Sequence, residues 1–257
     1  MRIKPNADFI LVRGVLLRMA IGLFLPILVG VGAQAAFGAD FWETEDYTKW
    51  SEKECTKMLT NSPWATRYVL TEKFSSGSWP VGDGQDTYTV TYQVQLYSAL
   101  PIRQAIVRQS QILQNYERLS PEQKNQFDKS AEALLGADNE EVVVLNISYM
   151  TNHPPYDLDM ARYWQIQTTD MLKNSTYLKG SKGEKVPIST YVVFSGAQRG
   201  FRFIFPRKYE DGKVLEPEDK SLLLEFVYPA FEDIGKSRTG FVEFKTSKMM
   251  FNGRIEY

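Results

Sequence analysis

Residues Thr87 to Ser98 alternate strictly between large and polar side chains. The large side chains belong to Tyr88, Val90, Tyr92, Val94 and Leu96, and threonine or glutamine occupies the positions between them. A period of two places the five large side chains on one face of a β-strand and the polar row on the other. The segment therefore predicts a strand in a sheet with one dry face, which is typical of antiparallel sheets.

A helical hairpin is predicted in the middle of the chain. Between Pro101 and Leu119 the apolar residues recur at helical spacing. Ser120 then opens a second helix: Pro121 follows in the first turn, Gln123 completes a capping box, and Gly136 marks the end. Two helices joined by so short a connection are expected to lie antiparallel.

Two further helices are predicted on either side of this hairpin. Ser51 and Glu54 form a capping box that starts a helix from about Glu52 to Thr60, and Pro63 prevents its continuation. A later helix, Asp157 to Lys173, is indicated by the spacing of its apolar residues. The side chains expected to face inward on that helix are Met160, Trp164, Met171 and Leu172.

The remaining segments predict strands. Arg67 to Phe74 and Glu141 to Met150 each have the composition of one strand. After about residue 174, short apolar runs alternate with turn dipeptides, namely Lys182-Gly183, Asp211-Gly212 and Asn252-Gly253. Strands at both ends and helices in the middle favour an α+β fold with mostly antiparallel sheet, and a sandwich-like C-terminal half is one arrangement of those strands.

The first 35 residues have the composition of a secretory signal peptide. Four basic residues precede an uncharged run from Met19 to Ala33, and small residues follow at Ala35 and Ala36. A basic region, a short apolar core and an A-x-A site are typical of such peptides. The run is also shorter than the roughly 20 residues that a membrane-spanning helix needs. We expect cleavage after Ala35, and the alternative is an uncleaved N-terminal membrane anchor.

This assignment sets the domain organisation and the location of the protein. Residues 1–35 are the signal peptide, and residues 36–257 are a single α+β domain. The alternative is a subdivision into a helix-containing part, 36–173, and a β-rich part, 174–257. The mature protein is expected in the periplasm or outside the cell, and it contacts the membrane only if the N-terminal segment stays attached.

Charge and cysteine content exclude several classes of function. The formal net charge is −1, and removal of residues 1–35 makes it more negative, because four basic residues and one acidic residue are lost. A chain without a basic block lacks the electrostatic footprint for nucleic acid. Cys55 is the only cysteine, so no intramolecular disulfide can form. Its place beside Met58 and Leu59 on a helix predicts a buried core residue.

Four of the five tryptophans fall early in the chain. They are Trp42, Trp50, Trp64 and Trp79. One interpretation is that they pack a short N-terminal helix onto the main body of the protein. The other is that they form an aromatic contact surface for a partner. The two interpretations differ in whether the rings are buried or exposed.

Two short segments in this region resemble the opening of a set of exported bacterial proteins of unknown activity. The segments are Trp50-Ser51-Glu52-Lys53-Glu54 and Leu59-Thr60-Asn61-Ser62-Pro63-Trp64-Ala65. The closing strands show a looser likeness to the same set. The resemblance implies export, and it supplies no catalytic residue.

The one histidine, His153, lies in a segment that also carries Asp157 and Asp159. Two prolines are expected to hold this segment extended, so the three side chains are candidates to converge on a substrate proton or a cation. The alternative is a loop histidine without a catalytic task. A nucleophilic Cys–His pair would have to join Cys55 to His153, because the chain has no other member of either type.

Motifs for other site types are missing from the sequence. A zinc site needs several His or Cys ligands, and this chain has one of each. The motif Gly-x-Ser-x-Gly does not occur, and the segment from Gly180 to Lys185 lacks the ending of a phosphate-binding loop. We therefore expect neither a metal nor a cofactor.

These observations leave two hypotheses for function. The leading one is a non-enzymatic binding or structural protein of the cell envelope, whose partner is another envelope protein or a polymer. The alternative is an extracytoplasmic hydrolase that uses carboxylates or His153. Converging titratable groups would favour the hydrolase, and an exposed contact surface would favour the binding protein.

Overall fold

The computed structural model describes residues 40–74, 86–137, 139–195, 199–210, 212–230 and 236–257. The expected signal peptide, residues 1–35, and Trp79 lie outside this part of the chain. The α-helices are α1 (Phe41–Thr44), α2 (Glu52–Thr60), α3 (Leu100–Leu113), α4 (Pro121–Leu135), α5 (Pro154–Ile166) and α6 (Thr169–Leu172).

Thirteen strands accompany these helices within the described residues. They are β1 (Ala65–Phe74), β2 (Asp86–Leu96), β3 (Val142–Thr151), β4 (Tyr177–Gly180), β5 (Val186–Pro187), β6 (Thr190–Val193), β7 (Gly200–Pro206), β8 (Lys208–Tyr209), β9 (Gly212–Lys213), β10 (Ser221–Pro229), β11 (Ser237–Lys245), β12 (Met250–Phe251) and β13 (Arg254–Ile255). All observed pairings are antiparallel. The expected α+β class with mostly antiparallel sheet is confirmed.

The chain forms two compact units, each assembled from two segments. Among the described residues, the smaller unit holds the chain up to Cys55 together with Arg103–Ala137. The larger unit holds Thr56–Ile102 and the chain after Ala137. The expected subdivision at residues 173 and 174 falls inside the larger unit.

The smaller unit contains the helical hairpin of α3 and α4. The Arg103 guanidinium, near the start of α3, donates from Nη1 to the carbonyls of Leu134 (3.0 Å), Leu135 (2.7 Å) and Ala137 (3.2 Å). Those carbonyls lie at or just beyond the end of α4, where helical carbonyls have no partner within the helix. At its other end α4 begins with the capping box of Ser120 and Gln123 that the sequence predicts. The hairpin is therefore antiparallel, as expected.

Sheet A, in the larger unit, has the strand order β1-β2-β3-β7-β6. Its inner face carries the large residues of β2, and Val90, Tyr92, Val94 and Leu96 are all buried. Tyr92 pairs with Tyr149 on β3, and Ile147 pairs with Phe201 on β7, so the same face continues across the sheet. The alternation seen in the sequence thus identifies the dry face correctly.

Sheet B has the order β11-β10-β4-β5 and packs against the inner face of sheet A. Phe226 on β10 lies with its ring centre 5.5 Å from Tyr92, 5.8 Å from Tyr68 and 6.4 Å from Phe203. Helix α5 covers a further part of the same face, because Trp164 stacks on Phe201 with the ring centres 3.9 Å apart. The C-terminal strands are thus divided among several sheets. Strands β6 and β7 extend sheet A, and the pairs β8–β9 and β12–β13 form two small sheets of their own.

Near the end of the chain, Glu256 joins three parts of the larger unit. Its carboxylate accepts from the Leu100 N–H at the start of α3 (2.9 Å), where helical N–H groups have no partner within the helix. Its carbonyl accepts from the Trp64 indole N–H (2.8 Å), and its N–H donates to the Met249 carbonyl (2.9 Å). Residues far apart in sequence are tied together here by polar contacts that the sequence does not indicate.

Candidate binding surface

His153 is engaged as the N-terminal cap of α5. Its Nδ1 accepts a hydrogen bond from the Tyr156 N–H (3.4 Å), and its ring meets the Tyr88 ring edge-on with the centres 4.4 Å apart. The two prolines after His153 do not hold the segment extended, as the sequence analysis expected. They begin the helix, because a proline in the first turn gives up no hydrogen bond that the helix would make.

The two aspartates of this segment serve different ion pairs. Asp157 pairs with Arg199, and Asp159 pairs with Arg162 one turn along the helix at 3.4 Å. Residues two apart on an α-helix point about 200° apart. Asp157 and Asp159 therefore do not converge, and the three sequence candidates do not form one site.

Three of the four early tryptophans are core residues. Trp42, Trp50 and Trp64 are all buried, and Trp50 meets Phe41 edge-on with the ring centres 5.2 Å apart. A buried ring has no surface left for a partner, so the aromatic contact surface is wrong at these three positions. Trp79 lies outside the described residues.

Cys55 is completely buried. Burial is the largest effect on its thiol and raises the pKa to about 11, although the nearby Arg108 opposes that shift. A thiol with so high a pKa is almost entirely protonated at neutral pH, whereas a nucleophilic cysteine acts as the thiolate. The core role expected from the sequence agrees with this burial.

The helix expected from Asp157 to Lys173 is two helices. The backbone turns extended at Gln167 and Thr168, and the Thr168 hydroxyl accepts from the Met171 N–H (3.3 Å) to start α6. Leu172 faces inward as expected, but Met171 is 56% exposed, which corrects the sequence expectation. Leu158 (58%) and Ile166 (66%) on α5 are exposed as well.

The outer face of sheet A, which points away from sheet B, mixes polar and apolar residues and carries no described acidic residue. Val144 and Ile204 on this face are buried, and Val69 and Met150 are exposed. Strand pairing places Ala65, Gln95, Asn146 and Arg202 in one row across the sheet. The next row holds Arg67, Gln93, Ser148 and Gly200. In a chain whose net charge is −1, the charged residues at the described outward positions are thus all basic, namely Arg67, Lys73 and Arg202.

The end of α2 covers one side of this face. The Gln93 side chain donates to the carbonyls of Thr60 (3.2 Å) and Thr66 (3.1 Å), and Gln95 donates to the Leu59 carbonyl (2.8 Å). The Leu59 and Thr60 carbonyls lie in the last turn of α2 and have no partner within the helix, whereas the Thr66 carbonyl belongs to β1. This side of the outer face is structural.

Arg202 lies on the other side of the same face and is held from two directions. Its Nε donates to Asn146 Oδ1 (2.8 Å), and its guanidinium carbon lies 4.4 Å from the centre of the Tyr97 ring. An arginine that stacks on an aromatic ring keeps its plane fixed. No described residue accepts a hydrogen bond from Nη1 or Nη2 of Arg202 or forms an ion pair with it.

Phe194 and Ser148 both lie beside Gly200, two residues before Arg202 on the same strand. A β-carbon at Gly200, two residues before Arg202, would come within 3.0 Å of the Phe194 ring and 2.4 Å of the Ile147 carbonyl, so only glycine fits there. Ser148 pairs with Gly200 across the strands, and no described residue hydrogen-bonds to its hydroxyl. We call Tyr97, Asn146, Ser148, Phe194 and Arg202 the Arg202 surface.

The sequence patterns do not predict this surface, although one signal for it is present. Arg202 interrupts the apolar run from Phe201 to Phe205, and period two places it on the face opposite Phe201 and Phe203. A lone charge in an otherwise buried strand marks a position that needs explaining. Its partners Tyr97 and Asn146 are distant in sequence, so only the strand register brings them together.

The described residues hold no group of three or more His, Cys, Asp or Glu side chains placed to bind a metal ion. None of the described helices is long and apolar enough to cross a membrane. Comparison with protein-family models, with curated proteins and with solved structures finds no match to this chain.

Proposed function

We propose that this chain is an exported protein of the bacterial cell envelope that acts by binding another envelope component, and that the Arg202 surface makes the contact. The single observation that carries the proposal is Arg202 itself. Its guanidinium is fixed by Tyr97 and Asn146, yet both Nη groups remain uncommitted among the described residues. A fixed donor pair is suited to binding, because little side-chain entropy is lost when a ligand arrives.

The order of charged, apolar and small residues in residues 1–35 supports export, as does the resemblance to exported bacterial proteins. N-terminal sequencing of protein from the producing cell tests this part. We expect the mature chain to begin near Ala36. A chain that begins at Met1 and stays in the membrane would contradict a cleaved signal peptide and favour the anchor.

Retention on isolated cell envelopes tests the binding part. Wild-type protein is expected to sediment with envelopes of the producing bacterium, and Arg202→Gln is expected to remain in solution. Arg67→Gln is the matched control, because it removes the same charge from the same sheet face. Equal retention of the two variants would contradict a role for the Arg202 surface.

The hydrolase alternative gains no support from the described residues. A general acid or base must reach a substrate proton, but His153 caps α5 and Asp157 is paired with Arg199. Asp159 lies on another side of the helix and is paired with Arg162. Binding is therefore the function that the described geometry favours.

A further inference from the structure

This inference rests on the proposed binding function and concerns the chemistry of the ligand. We infer that the Arg202 surface binds a carboxylate carried on a sugar ring, as in a uronic-acid polymer.

The Arg202 guanidinium can donate to a ligand from one side only. Because its Nε already donates to Asn146, the guanidinium cannot offer the side that combines Nε with one Nη. Only the end-on pair of Nη1 and Nη2 is left. Two parallel N–H donors in one plane match the two oxygens of a carboxylate.

The charge of the outer face of sheet A favours an anionic ligand. Outward positions on the described parts of sheet A include Arg67 and Arg202 and no Asp or Glu. An anionic ligand therefore meets no described carboxylate on this face, and like-charge repulsion does not oppose its approach. Arg67 lies three strands away on β1, where its Nε donates to Gln93 on the structural side of the face (3.2 Å), so it is separate from the Arg202 surface.

The side chains around the free Nη groups of Arg202 suit a sugar ring. The Tyr97 and Phe194 rings give flat apolar surface, while Ser148 and Asn146 give neutral polar groups. A sugar ring has hydroxyl groups at its edge and C–H groups on its faces, so it suits such a mixed surface. Ligand sites commonly combine aromatic side chains with a few placed polar groups in this way.

Titration followed by NMR of the full mature protein tests the inference. The probes are a tetragalacturonate, its methyl ester and inorganic phosphate. The tetragalacturonate is expected to give saturable shifts at Tyr97, Ser148, Phe194 and the Arg202 side-chain N–H. The methyl ester lacks the charge and is expected to bind at least about tenfold more weakly, as the loss of one charge-assisted contact predicts.

Variants separate the roles of charge and shape. Arg202→Gln is expected to abolish the shifts. Arg202→Lys, which keeps the charge but lacks the planar fork, is expected to weaken binding about tenfold or more. Arg67→Gln is the control at the distant arginine and is expected to leave the shifts at Tyr97 and Phe194 in place.

Three results would overturn the inference. They are equal binding of the ester, unchanged binding by Arg202→Gln, and phosphate binding as tight as that of the uronate. Envelope retention that depends on Arg202, together with no uronate binding, would overturn only the ligand class. Loss of the Arg202 dependence in envelope retention would instead overturn the proposed function.

Discussion

Sheet A presents two faces built from the same strands. On β2, Tyr92 and Val94 point to the inner face and are completely buried, whereas Thr91 and Gln93 point outward and keep part of their surface. The inner face is packed with aromatic rings from sheet B and α5. The outer face carries a structural side under α2 and a side where Arg202 has free donors. A one-residue step along a strand therefore separates a position that stabilises the fold from one that is available for function.

The largest expected effect is that of a charge on the inner face. Val94→Asp places an unpaired carboxylate among buried rings and is expected to cost about 3–5 kcal/mol. Thr91→Asp introduces the same group on the outer face and is expected to cost less than about 1 kcal/mol. Urea unfolding of both variants measures the difference. Equal losses of unfolding free energy in the two variants would mean that positions 91 and 94 are both buried and that the two faces do not differ.

The pH dependence of the stability of Val94→Asp gives a second test of this prediction. An aspartate buried at position 94 has a raised pKa, because burial penalises the charged form. A raised pKa in the folded state means that the penalty is greatest at high pH and shrinks as the pH falls. The stability gap between wild type and Val94→Asp is therefore expected to narrow in acid.

Asp219, a native buried carboxylate beside β10, is expected to show the opposite pH dependence. Burial opposes its ionisation, but hydrogen bonds from the Glu216 N–H (2.8 Å), the Lys182 N–H (2.7 Å) and the Ser181 hydroxyl (3.1 Å) outweigh burial and lower the pKa below its ordinary 3.8. A lowered folded-state pKa gives stability that is present above the unfolded value and is lost as the pH falls through the folded value.

Asp219→Asn tests this explanation. The amide replaces one acceptor oxygen by a donor, so we expect a loss of about 1–3 kcal/mol near neutral pH. Denaturation at a series of pH values should show the gap to wild type closing as the pH falls below the ordinary value of 3.8 and through the lower folded-state value. A gap that stays constant through the acid range would show that the charge contributes nothing.

Gln93 tests whether the structural side of the outer face differs from open surface. Its amide makes two hydrogen bonds to carbonyls, so Gln93→Ala is expected to cost about 1–2 kcal/mol. Thr91→Ala, two residues away on the same face, is the control and is expected to cost less than about 0.5 kcal/mol. Equal denaturation midpoints for the two variants would argue against the contact with α2.

The smallest expected effect on stability is at Arg202. Arg202→Gln removes a half-buried side chain that pairs with no described carboxylate, and we expect a change within about 0.5 kcal/mol. A thermal melt and an envelope retention assay on the same sample compare stability with binding. A strongly destabilised variant would mean that Arg202 belongs to the structural side.

Much of the fold was predictable because it depends on short-range patterns. The capping box of Ser51 and Glu54 starts α2, which runs over the predicted Glu52–Thr60. The hairpin and the dry face of β2 were predictable for the same reason, since side-chain alternation and helix caps involve residues only a few positions apart. The break between α5 and α6 was not, because Thr168 is polar within a helical pattern and caps a helix only when the preceding backbone is extended.

The sequence by itself determined helix α2, the hairpin of α3 and α4, and which side of β2 is dry, because side-chain alternation and helix caps act between near neighbours. Only the tertiary structure decided the surroundings of Arg202, where strand pairing brings Asn146 and Tyr97 to an arginine more than 50 residues away. It also decided that His153 caps a helix and that Trp42, Trp50 and Trp64 are buried. Register and burial depend on contacts between distant segments, and no local pattern specifies those contacts.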